Sequence, residues 1–484
     1  MSAVLDRPAG GSSSGDSPAG DDYFAQRSLR KGAAGWLLLA GLGISFVISG
    51  DFSGWNLGLA VGGWGGMLVA FVLMGVMYTC LCLGLAEMSS SLPTAGAGYG
   101  FARRALGRLG GYVTGVAILV EYVLAPAAIA VFIGGYVESL GLFGLTSSWP
   151  VYLACFALFI GIHLVGVGEA LKAMFAITAV ALLALLVFGA GAIGAFDPDN
   201  LFDIVPDEAA AGSSAFLPFG WAGALGALVF GIWFFLAIEG VPLAAEEAND
   251  PAKDMPRAIL GAMGVLTFTG LLVLVLVPGI GGAEAMGSSG SPLPDALNAA
   301  GSPALATVLN YVGLAGLVAS FFSIVYAYSR QLFALSRAGY LPRWMSRTSS
   351  RKTPVWALLV PGAIGFVLAA VIDNGDQLIN IAVFGAAVSY VLLNLSHIVL
   401  RIREPELPRA YRAPGGVVTT GIGLVLSLVA VAATFVVDPL AAGITAGVMV
   451  AFVAFYLLWS RHHLVANAPE EEFAMLAGAE AELR

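Results

Sequence analysis

Two long apolar stretches of this chain are each interrupted by glycine and a carboxylate at a depth where a membrane span should run unbroken. The first reads Ile48-Ser49-Gly50-Asp51-Phe52-Ser53-Gly54, inside the apolar run that begins near Ala33. The second reads Ala237-Ile238-Glu239-Gly240-Val241-Pro242, inside the run that begins near Phe216. Lipid offers backbone amides and carbonyls no partner, so unwound backbone at that depth survives only buried in protein or lining a cavity. Interruptions in corresponding positions of two halves point to a ligand site between them. An acid within a span costs free energy and marks a functional position by default.

The surrounding composition fits a membrane protein. Of 484 residues, 58% are hydrophobic and 11% charged, and apolar runs of eighteen or more read as spanning helices. Twelve such runs are expected, centred near residues 45, 77, 122, 158, 182, 230, 269, 318, 363, 387, 426 and 450. The fold class is therefore an all-α integral membrane protein with twelve transmembrane helices.

Basic residues set the orientation. Arg27, Arg30 and Lys31 precede the first span, and Arg103, Arg104 and Arg108 follow the second. Lys253 and Arg257 follow the sixth, Arg337 to Lys352 the eighth, and Arg401 to Arg412 the tenth. With twelve spans, all 22 Lys and Arg fall on one side, whereas the opposite loops carry only acids such as Asp197, Asp207, Asp373 and Asp438. Both termini are expected in the cytoplasm, with the chain multi-pass in the cytoplasmic membrane.

Other classes find no support. Cys80, Cys82 and Cys155 lie in apolar runs, which argues against a disulfide framework. The four histidines form no H-E-x-x-H and no G-x-S-x-G occurs, so neither an enzyme nor a metal site is expected. Nothing points to a nucleic-acid partner or a cofactor. Residues 1–30 read as a disordered polar tail without the charged start and apolar core of a signal peptide. Residues 463–484 read as an acidic cytoplasmic tail. The interrupted spans are the first and the sixth. Five is odd, so the second block of five enters from the opposite side and an inverted repeat follows. The halves are expected over residues 31–195 and 216–400, forming a core over 31–400, with the last two spans over 413–462.

Three segments carry a family resemblance. Ala86-Glu87-Met88-Ser89-Ser90-Ser91-Leu92-Pro93-Thr94-Ala95-Gly96-Ala97-Gly98-Tyr99 resembles the stretch after the second helix of amino acid/polyamine/organocation permeases. Ala245-Glu246-Glu247-Ala248-Asn249-Asp250-Pro251 is similar to their stretch after helix 6, and Tyr328 to Pro342 to their loop after helix 8. Val47 to Asn56 and Phe230 to Gly240 look most like the ethanolamine permease branch. The resemblance implies a LeuT-type fold, a 5+5 inverted repeat with helices 1 and 6 broken at the midplane. It also implies a secondary active transporter with its site between those helices, flanked by helices 3 and 8.

Relatives with an amino acid substrate usually carry Gly-Ser-Gly-Ile-Phe-Gly at the first break, where backbone N–H groups at the start of the second half-helix hold the substrate carboxylate. This chain keeps Ser49, Gly50 and Phe52 but places Asp51 where the apolar residue would be. A built-in carboxylate there replaces the substrate's and attracts an ammonium, although an N-cap role equally accounts for Asp51. Glu239, with exposed backbone at Ile238, offers a second cation ligand or a carrier for a coupled proton. Phe235, one turn earlier, is the candidate gate. Glu121 and Tyr122 on the third span are candidate substrate or proton contacts, and Ser49 or Asn56 candidate partners for a substrate hydroxyl. Ser320 and Ser323 match hydroxyls that bind sodium in some LeuT-type transporters, so the coupling ion is H+ or Na+. Glu87, Glu246 and Glu247, near basic loops, are expected in salt bridges.

The function expected from these readings is alternating-access transport of a small cationic amine, ethanolamine first, by a monomer or homodimer in the lipid bilayer. The alternatives are an amino acid or polyamine permease of the same fold and, from another class, a non-transporting amine sensor.

Overall fold

The computed structural model describes residues 34–92, 96–141, 147–165, 168–351 and 353–464. The expectations for the two tails, and for Pro93, Thr94 and Ala95 of the first motif, lie outside the described residues.

The described chain is helical, with only two isolated β-bridges. In order, the helices are α1 (Trp36–Val47), α2 (Ser49–Phe52), α3 (Leu57–Ser91), α4 (Ala97–Ser139), α5 (Trp149–Val165), α6 (Gly168–Ala192) and α7 (Gly220–Trp233). A 3-10 helix, Ile238–Glu247, leads into α8 (Pro251–Gly281), α9 (Ala283–Gly287), α10 (Pro292–Ala299) and α11 (Pro303–Arg337). The chain ends with α12 (Val355–Ile372), α13 (Gly375–Arg403), α14 (Val417–Val437) and α15 (Pro439–Leu458).

Ten helical segments are long and apolar enough to cross a membrane, and Trp36–Val47 and Trp149–Val165 are shorter apolar helices. Burial separates an inner and an outer set. The apolar windows of Ala97–Ser139 and Gly220–Ala245 are 89% and 83% buried, those of Val417–Val437 and Pro439–His462 only 33% and 28%. The polar side chains at the two breaks, Ser49, Asp51, Asn56 and Glu239, are themselves buried.

Glycine makes a corner inside α3. Gly63 adopts φ 68° inside α3, with its Cα against Pro218, so a β-carbon would fail on both conformation and space. The segment Leu57–Gly62 thus completes the first apolar run, and the chain turns into the second run at Gly63.

Candidate functional site between the two broken helices

The first break lies slightly later than the sequence suggests. The chain stays helical through α2, becomes extended at Ser53 (φ −162°, ψ 160°), turns left-handed at Gly54 (φ 93°) and resumes helix at Leu57. This corrects the placement of Asp51 at the start of the second half-helix: it lies in the last turn before the break, because the φ freedom of Gly54, not of Gly50, makes the bend. The second break falls where expected. Helix α7 ends at Trp233, and Ala237 adopts the left-handed conformation (φ 77°) before the 3-10 turn that holds Glu239. A β-carbon pays about 1–2 kcal/mol in that region.

The two breaks pack on one another. A β-carbon on Gly50 would lie 2.6 Å from the Trp233 carbonyl oxygen, so only glycine allows this approach. The Trp233 Nε1–H donates to the Ser53 carbonyl at 2.9 Å, and the Tyr136 hydroxyl to the Phe52 carbonyl at 2.9 Å. Carbonyls released by unwinding are thus satisfied by side chains. Asn56 does similar work. Its carbonyl oxygen accepts from Gly54 N–H at 3.1 Å, and its amide donates to the carbonyls of Met286 and Ser289. Both of its N–H donors are spent on backbone.

Asp51 is 0% exposed, and neither carboxyl oxygen has a hydrogen-bond partner among the described residues. Thr269 on α8 lies beside it, and the Thr269 hydroxyl is directed at the Val265 and Leu266 carbonyls. A buried carboxylate normally carries several acceptor bonds or a paired cation.

Glu239 is also buried, but richly partnered. The Tyr122 hydroxyl donates to its Oε1 at 2.8 Å and the Tyr390 hydroxyl to its Oε2 at 3.0 Å. The Tyr78 hydroxyl donates in turn to the Tyr390 oxygen at 2.9 Å. Glu121 lies beside Glu239, so it is not the lone acid that its span suggests. Its Oε1 accepts from the Tyr390 hydroxyl at 3.4 Å, and its Oε2 has no partner among the described residues. Tyr390 has one hydroxyl proton, and the shorter bond directs it to Glu239. Two adjacent carboxyl groups with no cation among their partners repel when both are charged, so the cluster suits one shared proton.

The structure therefore brings Glu121, Tyr122 and Glu239 together and sets Asp51 apart on the α8 side, with no partner in common. Phe235 is fully buried against Phe71 and Tyr78, at ring distances of 5.4 and 5.3 Å, and Ile238, three residues on, is fully buried too. Ser49 and Ser320 hydroxyls meet at 2.8 Å, Ser45 and Ser323 at 2.6 Å. Ser320 donates to the Phe46 carbonyl at 2.6 Å, and Ser45 to the Ala319 carbonyl at 3.2 Å. Ser45 was absent from the expected set, although its i, i+4 spacing from Ser49 facing an i, i+3 pair on α11 is a readable signal. Tyr78 and Tyr390 carried no signal, since tyrosines are common along these spans.

Glu87 meets its expectation of ion pairing. Its Oε1 accepts from Arg409 at 2.8 Å and its Oε2 from Arg401 at 2.5 Å and the Ala413 N–H at 2.7 Å. His397 Nε2 lies 3.4 Å away. The side chains of Glu246 and Glu247 lie outside the described residues.

The amino acid permease family model matches residues 37–471. An uncharacterised transporter of Rhizobium meliloti is 30% identical over 86% of this chain and 89% of its own length. A branched-chain amino acid permease of Bacillus subtilis is 27% identical over 75% and 79%, and a methylthioribose transporter of the same organism 28% over 77% and 80%.

Proposed function

Because the chain belongs to the amino acid permease family, we propose that this transporter moves a small cationic amine, ethanolamine foremost, by alternating access. The observation that carries the proposal is Asp51, a fully buried carboxyl without a hydrogen-bond partner among the described residues, beside the bend of the first broken helix. An ammonium offers that carboxylate both a counter-charge and N–H donors. Ethanolamine brings no carboxylate of its own to compete with Asp51.

The proposed frame is a LeuT-type 5+5 repeat followed by two further helices. Ten long apolar segments together with two shorter ones support twelve spans. The one-sided distribution of Lys and Arg supports cytoplasmic termini in the cytoplasmic membrane. For the coupling ion we favour the proton. Glu121 and Glu239 suit one shared proton, whereas the four serine hydroxyls are occupied with each other and with the Phe46 and Ala319 carbonyls.

A second reading, transport of a branched-chain amino acid, is favoured by the names of relatives in Bacillus subtilis and Lactococcus lactis. In that reading Asp51 is a structural group and backbone at the breaks receives the substrate. Uptake of labelled ethanolamine and, in parallel, labelled leucine into proteoliposomes, each challenged with unlabelled ethanolamine, leucine, arginine, putrescine and methylthioribose, decides between them. Competition by ethanolamine alone supports the amine reading. Leucine uptake with no ethanolamine uptake replaces it.

A further inference from the structure

A cleft of about 530 Å³ runs along the outer side of the helix that carries Glu121. Its walls come from α4, α12, α13 and α15, and all its lining residues are apolar except Gln377, Asp438 and Thr445. The Thr445 hydroxyl is spent on the Ala441 carbonyl at 2.7 Å, so the body of the cleft presents hydrocarbon. Several wall residues are open to the surroundings of the protein: Ile364 is 48% exposed and Ile444 59%.

The two remaining polar residues sit together at one end. The Asn380 amide donates to the carbonyls of Thr434 and Asp438 at 3.3 and 3.4 Å, which fixes the start of α13 beside the corner between α14 and α15. From Leu440 at that end to Phe452 at the other, α15 rises roughly 18 Å at 1.5 Å per residue. That depth is close to one leaflet, about half of a 30 Å hydrocarbon core. An apolar slot one leaflet deep, in a chain that spans a bilayer, matches one acyl chain.

The polar end selects among headgroups. Asp438 caps α15 by accepting from the Ala441 N–H through Oδ1 at 2.9 Å, and the stretch before Gln377 adds Asp373, which also accepts from the Tyr152 hydroxyl at 2.6 Å, and Asp376. Residues 372–378 and 437–445 contain no Lys or Arg. An anionic headgroup meets like charge there, whereas an ammonium finds carboxylates and its phosphate finds the Gln377 side-chain amide.

We propose that this cleft is a binding site for one phospholipid with an amine headgroup, its acyl chain between α4 and α15 and its ammonium at Asp438. The site has a consequence for transport. Val120, Val123 and Leu124 line the cleft while Glu121 and Tyr122, their neighbours in α4, reach the opposite side toward Glu239. A seated acyl chain thus packs behind the wall that holds the carboxyl pair.

The test is native mass spectrometry of the purified full-length protein with equal phosphatidylethanolamine and phosphatidylglycerol, repeated on Asp438→Asn and Ile444→Trp. Asparagine retains the helix cap and removes the charge. Tryptophan fills the slot from a lipid-facing position, so folding does not depend on it. The expected result is one retained phosphatidylethanolamine, preferred about fivefold, the worth of roughly 1 kcal/mol for one headgroup charge. Asp438→Asn is expected to remove the preference, and Ile444→Trp the bound lipid. Equal retention of both lipids, retention in Ile444→Trp, or a dimer mass in place of a bound lipid would overturn the proposal.

Discussion

The Tyr390 hydroxyl donates to Oε2 of Glu239 at 3.0 Å, across 151 residues of sequence, and so ties α13 to the segment that follows the second break. Tyr122 of α4 holds the other oxygen of the same carboxyl at 2.8 Å. Glu239 is thus clamped between two inner helices while it sits on backbone that has left helical geometry. Any movement of the 3-10 segment against α4 and α13 must break or carry these two bonds.

Tyr122→Phe deprives Oε1 of Glu239 of its donor, and the expected cost is about 1–3 kcal/mol for an unsatisfied buried acceptor. Tyr390→Phe is expected to cost more, because it also removes the acceptor for the Tyr78 hydroxyl at 2.9 Å. Thermal unfolding of both variants in the same detergent checks the ranking. Equal midpoints for Tyr122→Phe and the parent would show that the bond is not formed in solution.

Asp51→Asn keeps the size of the side chain and removes the charge. Amine uptake is expected to fall at least about tenfold, the equivalent of a lost interaction of 1.4 kcal/mol or more, with expression and thermal midpoint retained. Normal ethanolamine uptake by a well-folded variant would remove Asp51 from the substrate site.

Gly50→Ala drives a β-carbon to 2.6 Å from the Trp233 carbonyl oxygen, which is backbone and has no rotamer to yield. Separating the two breaks is expected to cost about 1–3 kcal/mol and to lower uptake together with stability. The corresponding change at Gly264, where a β-carbon meets nothing within 4 Å, serves as the control and is expected to leave both unchanged.

Glu87→Gln leaves Arg401 and Arg409 beside a neutral amide. Arg409 is 5% exposed in its side chain and Arg401 24%, so the expected loss is about 2 kcal/mol, at the low end for a broken buried pair because Arg401 keeps water. A stability loss without a change in substrate preference would mark the cluster as a tie between α3, α13 and the segment around Ala413.

Much of the architecture was legible. Apolar run lengths located the helices, since spanning lipid demands unbroken hydrogen-bonded backbone and leaves few alternatives. Glycine and carboxylate within those runs marked both breaks, and the serines at 320 and 323 were identified before their contacts with Ser45 and Ser49 were visible. The exact bend was not legible, because Gly50 and Gly54 are both permissive and only packing against Trp233 decides that one is a close approach and the other a turn. Asn56 looked like a ligand and is a staple for the loop around Ser289, because an amide does not declare which backbone it will meet.

The sequence alone determined that this chain is a helical membrane permease, which stretches are apolar enough to span, and that glycine and an acid interrupt two of them. Each is a local consequence of excluding water from the backbone. Tertiary structure alone decided which acids share partners: Glu121 and Glu239 lie side by side within reach of the Tyr390 hydroxyl, while Asp51 lies beside Thr269 without it. Hydrogen bonds between distant helices depend on rotation and crossing of packed elements, and spacing along one chain does not encode them in readable form.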